Sequence, residues 1–120
     1  MSTRMGYVVC ALLAAVLIIG SATPTRAAGS AKDNYSSLCA TCHGASGKGD
    51  GEAGAALPTK PTNFTDCAKI SKVSDDTLFK ATKEGGAAVG LSPTMPAEGS
   101  ALSDAEIKDL VAYLRSFCKH

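Results

Sequence analysis

The chain has 120 residues and a mass of 12.1 kDa, a length that accommodates one domain. Its 12 Lys and Arg against 11 Asp and Glu give a formal charge of +1, which argues against nucleic acid as a partner, because such binding draws on a basic face that displaces counterions from phosphate. With 45% hydrophobic residues the chain is also too apolar to be disordered throughout.

Much of that apolar content lies in one block at the start. Arg4 and the amino terminus bring positive charge, Gly6 to Gly20 then run 15 residues without a charge, and small residues follow at Ser21, Ala22, Ala27 and Ala28. This is the pattern of a secretory signal peptide. The run falls short of the roughly 20 apolar residues that span a bilayer as a helix. Residues 1–28 therefore read as a cleaved leader, not an anchor, with small residues offering cleavage between about positions 22 and 28. Cys10 lies inside the apolar run, and Tyr7, Val8 and Val9 before it do not form an acylation box, so it reads as a small apolar residue lost with the leader.

Residues 29–120 remain, with 10 basic and 11 acidic groups. Their aromatic stock is Tyr35, Phe64, Phe79, Tyr113 and Phe117, thin for a core made of side chains alone. Small domains with thin cores commonly carry a disulfide, a metal or a cofactor. No stretch alternates as a strand would, so the expectation is an all-α domain.

The first predicted helix starts at Ser30 or Ala31 and runs to Ala40, carrying Tyr35 and Leu38 into Cys39-Ala40-Thr41-Cys42-His43. That CxxCH sequence reads as a c-type haem attachment site. Two thiols one helical turn apart can add to the two vinyl groups of one porphyrin, and the adjacent His43 then faces the iron as axial ligand. A thioredoxin-like redox pair would sit after a strand in a βαβ unit, which nothing here predicts. A zinc site would need a second ligand pair, and Cys67 and Cys118 are single and far apart.

Gly44 to Phe64 is rich in Gly, Lys, Pro and Thr and reads as a long loop laid over the cofactor edge. Ser74 is the cap of a second helix, with Asp75 and Asp76 at its positive end and Leu78, Phe79 and Ala81 on its apolar side, ending at Gly85-Gly86. Beyond it, Met95 is the one methionine after the leader, set between Pro93 and Pro96. The prolines reduce the entropy lost in presenting its thioether, so Met95 is the candidate sixth ligand. His120 is the alternative, at a terminus prone to fraying. The last helix opens with a capping box of Ser103 and Glu106 and a staple of Leu102 with Ile107, and Ile107, Leu110, Val111, Leu114 and Phe117 share one face.

Taken together, residues 31–117 resemble a small class I cytochrome c. The resemblance rests on Tyr35 before Cys39-Ala40-Thr41-Cys42-His43-Gly44, the run Gly47-Lys48-Gly49-Asp50-Gly51, Lys60-Pro61-Thr62-Asn63-Phe64-Thr65-Asp66, Met95-Pro96 and the closing Leu110-Val111-Ala112-Tyr113-Leu114-Arg115. It implies three main helices and long loops wrapped round one covalently attached haem c. The first and last helices would cross, with Tyr113 as the aromatic at the crossing and Ala31 where the family often has glycine. A proline carbonyl after the motif, from Pro58 or Pro61, would accept the ring N–H of His43.

The resemblance further implies a one-electron carrier, with iron cycling between Fe(II) and Fe(III) and no open coordination position, hence no enzyme activity. It would dock weakly and transiently on redox protein partners, as a monomer in a bacterial periplasm. Lys48, Lys60, Lys69, Lys72, Lys80 and Lys83 are candidates for the docking patch. Two alternatives stand beside this: a five-coordinate haem sensor or peroxidase-like enzyme, if Met95 does not reach the iron, and a haem subunit of a larger oxidoreductase. Cys67 and Cys118 fall outside the family's core pattern, and export to an oxidising compartment leads us to expect a disulfide between them.

Overall fold

The computed structural model describes residues 29–118. The leader, its cleavage region, Cys10 and His120 lie outside the described residues. Among the described residues every regular element is helical.

Helix α1 spans Ala31–Leu38. Ser30 caps it by accepting the Asp33 N–H at 3.1 Å, and Asp33 lies in the first turn, where the helix dipole favours an anion. The sequence predicts one helix to Ala40; instead α1 ends at Cys39, whose φ is widened to −115°, and α2 restarts over Ala40–His43. Across the break the N–H of His43 still donates to the Cys39 carbonyl at 2.9 Å. Gly44 stops α2 with φ +80°, and a side chain there would collide with Asp50, whose Oδ1 lies 2.0 Å from the position of a Cβ.

The predicted loop 44–64 is interrupted by a single turn, α3 at Glu52–Ala55. It lies on α2 through Gly54, where a Cβ would sit 2.3 Å from the Cys42 carbonyl oxygen. A four-residue helix of Glu, Ala, Gly and Ala has no apolar periodicity to announce it. Another short helix, α4 at Cys67–Ile70, is capped by Asp66, which accepts the Lys69 N–H at 3.2 Å.

Helix α5 spans Asp75–Glu84 with Ser74 as its cap and stops at Gly85, as its sequence predicts. A 3₁₀ turn at Gly86–Val89 follows. Helix α6 spans Asp104–Ser116, and the capping box is formed on both sides: Ser103 Oγ accepts the Glu106 N–H, and a Glu106 carboxylate oxygen accepts the Ser103 N–H at 2.9 Å.

The core joins α6 to everything else. Ile107 and Leu110 have no exposure, Tyr35 has 1%, and Phe64, Ile70, Leu78, Leu102, Val111 and Leu114 pack with them. The crossing of α1 and α6 is aromatic: Tyr113 meets Tyr35 at 5.4 Å between centroids, and Phe117 closes the group at 5.2 Å from each. The Tyr35 hydroxyl, buried below them, donates to the Gly44 carbonyl at 2.7 Å and so ties α1 to the end of the CxxCH turn. Among the described residues the fold is all-α, as the sequence predicts.

Candidate functional site

One cleft gathers the predicted site residues. Leu38, Cys39, Cys42 and His43 form one side, Met95 with Leu91, Thr94 and Pro96 forms another, Leu110 and Leu114 of α6 form the apolar floor, and Leu57 with Thr59 to Thr62 forms a rim. Cys39 and Cys42 are both unpaired thiols. Among the described residues no group of three or more His, Cys, Asp or Glu side chains gathers as an ion site, so the two cysteines have no partners of the kind a zinc centre uses.

The His43 ring is held from two directions. Its Nδ1 lies 3.0 Å from the Thr62 carbonyl oxygen. A carbonyl only accepts, so Nδ1 carries the proton and Nε2 keeps its lone pair toward the cleft. Phe64 stacks on the ring at 4.8 Å with 30° between planes. Burial holds His43 below the ordinary imidazole value, with the Thr62 bond working the other way, and the neutral form favoured by burial is the one that ligates a metal.

The sequence points to Pro58 or Pro61 as the source of that carbonyl, and the structure corrects both to Thr62. The Pro61 carbonyl is turned the other way, against Gly49, where a Cβ would come within 2.5 Å of it. The next peptide then directs its oxygen at His43. Nothing in a sequence marks a backbone acceptor, since every residue carries one.

Opposite, the Met95 segment is fixed by its backbone. Met95 N–H donates to the Ser92 carbonyl at 3.2 Å, and its own carbonyl accepts the Gly86 N–H at 3.1 Å. The 3₁₀ turn after α5 therefore places the loop, in addition to the two prolines. Burial, followed by the charges of Glu98 and Cys42, pushes the Cys39 thiol up to about 11. Burial likewise raises Tyr35 well above the ordinary phenol value, the neighbouring Cys39 adding to it.

The donor set suits a covalently held porphyrin: two unpaired thiols a turn apart, a neutral imidazole, a thioether and apolar walls. Of the lysines considered for docking, Lys60 is on the cleft rim. Lys69 pairs with Asp66 at 3.3 Å and Lys83 with Asp104 at 2.7 Å, while Lys48, Lys72 and Lys80 are exposed. Behind the His43 side, Cys67 and Cys118 come together with Cα atoms 5.4 Å apart, inside the range a disulfide bridges. Among the described residues no helix is long and apolar enough to cross a membrane.

The family model described as cytochrome C oxidase, cbb3-type, subunit III, matches residues 26–114. Among solved structures the chain is similar to the KustC0563 c-type cytochrome, with 27% identity and a TM-score of 0.60, covering 74% of this chain and 98% of that one. No curated protein matches significantly. The all-helical fold, the CxxCH turn facing an apolar cleft and these matches place the chain in the family of small mono-haem c-type cytochromes, which carry a covalently attached haem c and serve in haem-based electron transfer.

Proposed function

We propose that the chain is a one-electron carrier of the periplasm, with Cys39 and Cys42 as the thioether anchors of its haem and His43 and Met95 as the axial ligands. The observation that carries this is the single cleft with His43 on one side, Met95 on another and both free thiols at its edge. The haem supplies an iron that takes up and releases one electron. The chain holds His43 in one tautomer through Thr62, offers Met95 from a pinned loop and excludes water with Leu110 and Leu114. A thioether favours Fe(II) and so raises the potential. Residues 1–28 direct export and are removed, Cys67 and Cys118 form a disulfide, and docking to redox proteins is weak and transient, by a monomer not anchored in the membrane.

The description of the matched family favours a second reading, in which the same domain serves as a haem subunit of a larger oxidoreductase. Purification at native abundance separates the two: a carrier runs alone, and a subunit runs in a stable complex. The ligand set is tested by the absorption spectrum of the purified holoprotein. The weak red band of methionine bound to ferric haem, with no carbon monoxide uptake when reduced, supports the carrier. A high-spin spectrum with rapid carbon monoxide binding overturns it in favour of a five-coordinate sensor or peroxidase-like enzyme.

A further inference from the structure

Glu98 is the one carboxylate among the residues that line the cleft. It is half-buried, and its backbone is fixed. Its N–H donates to the buried Thr82 carbonyl at 2.8 Å, and its own carbonyl accepts from Ala101 at 3.0 Å and Leu102 at 2.9 Å. These bonds hold the backbone of the residue between α5 and the start of α6.

The carboxylate has no structural task that explains it. The ion pairs among the described residues use Asp66, Asp104 and Asp75, and the Glu98 side chain takes part in none of them. As the one carboxylate in the cleft lining, it is placed to act by its charge on a group held there.

We propose that Glu98 tunes the haem potential, its negative charge stabilising the ferric state and holding the reduction potential down. Reduction adds one electron to the iron centre and lowers its charge by one, so a fixed anion beside the porphyrin opposes that step. The half-buried position of Glu98 in the cleft leaves this interaction less screened than it is in bulk water. Lys60, the lysine on the cleft rim, has the opposite sign but is exposed, where solvent and salt weaken its effect.

This inference rests on the haem lying between His43 and Met95, and the wild-type spectrum checks that first: absence of the methionine band sinks the ligand reading before any variant is compared. Midpoint potentials are then measured by spectroelectrochemical titration of the holoproteins at fixed pH and salt. Glu98→Gln should shift the potential upward and Glu98→Lys further upward, while Glu98→Asp stays close to wild type. Glu84→Gln, which removes an exposed charge at the end of α5 outside the cleft, is the control and should not move it. An unchanged potential in both Glu98→Gln and Glu98→Lys, with the methionine band intact, overturns the proposal. So does an equal shift in Glu84→Gln, which would reduce the effect to net charge.

Discussion

The Nδ1 of His43 and the carbonyl oxygen of Thr62 are 3.0 Å apart, and this contact joins the CxxCH turn to a loop nineteen residues further on. What sets it is the packing of Gly49 on the Pro61 carbonyl, at φ +76° with no room for a Cβ. Gly49→Ala should therefore both strain the left-handed residue, at roughly 1–2 kcal/mol, and push the 61–62 peptide out of line. A weaker hydrogen bond makes the imidazole a poorer donor to iron. The expected outcome is a lower unfolding midpoint together with a raised reduction potential, measured by thermal melts and redox titration of the same preparation. A loss of stability alone, with the potential unmoved, would mean that the Thr62 bond does not tune the iron.

How far the sequence reveals this site differs by element. The capped helices α5 and α6 are legible because Ser74, Ser103 and Glu106 each mark a chain entry with a side chain that has one job. The thiols, His43 and Met95 are legible because their chemistry is rare in this composition. The break at Cys39, the turn α3 and the Thr62 acceptor are not, since each is decided by backbone packing: the close approach of Gly54 to Cys42 and of Gly49 to Pro61. Tyr35 falls between. Its aromatic ring could be placed near the motif, but the hydroxyl's bond to the Gly44 carbonyl depends on the angle at which α1 meets α2.

Arg115 illustrates the same limit. It appears in the sequence as the last basic residue of a helix, suited to the helix dipole, yet its guanidinium crosses to the segment between α4 and α5. Nη1 donates to the Ile70 carbonyl at 2.6 Å, Nη2 donates to the Val73 carbonyl, and Nε donates to Asp75 at 2.8 Å. The Asp75 carboxylate is exposed, so that ion pair contributes little. The two half-buried carbonyls matter more, because they lose charged donors. Arg115→Ala should destabilise by roughly 2 kcal/mol, and Arg115→Lys should recover only part, since an ammonium cannot reach three acceptors as a planar fork does. Asp75→Asn should cost much less. Chemical unfolding of the three holoproteins gives the comparison, and equal losses for Asp75→Asn and Arg115→Ala would assign the effect to the ion pair instead.

The proposed disulfide between Cys67 and Cys118 would close a loop of sequence separation 51. In the chain-entropy account such a crosslink stabilises by about 4 kcal/mol, less any strain. Its location gives the effect a direction. Phe117, next to Cys118, stacks on Phe64 at 6.3 Å, and Phe64 stacks on His43. Replacing both cysteines by serine should lower stability by up to that amount and loosen the His43 side of the cleft. Intact mass under non-reducing conditions checks the bond itself: two alkylatable thiols in the mature protein would show that it does not form.

Glu106 links the capping box to acid sensitivity. The Ser103 N–H, then the Ser103 hydroxyl and more weakly the Gly29 N–H, hold its carboxyl below the usual carboxylate range, against a small opposing effect of burial. The folded chain therefore binds this proton less readily than the unfolded chain does. Its contribution to stability is present above the unfolded carboxylate value, about 4.3, and is lost as pH falls through the lower folded value. Glu106→Gln keeps an amide oxygen for the Ser103 N–H but removes the titration. The variant should thus start less stable near neutrality and lose less on acidification, so that the two curves of unfolding free energy against pH converge below about 4. Parallel curves across that range would show that the capping carboxylate does not govern the acid limb.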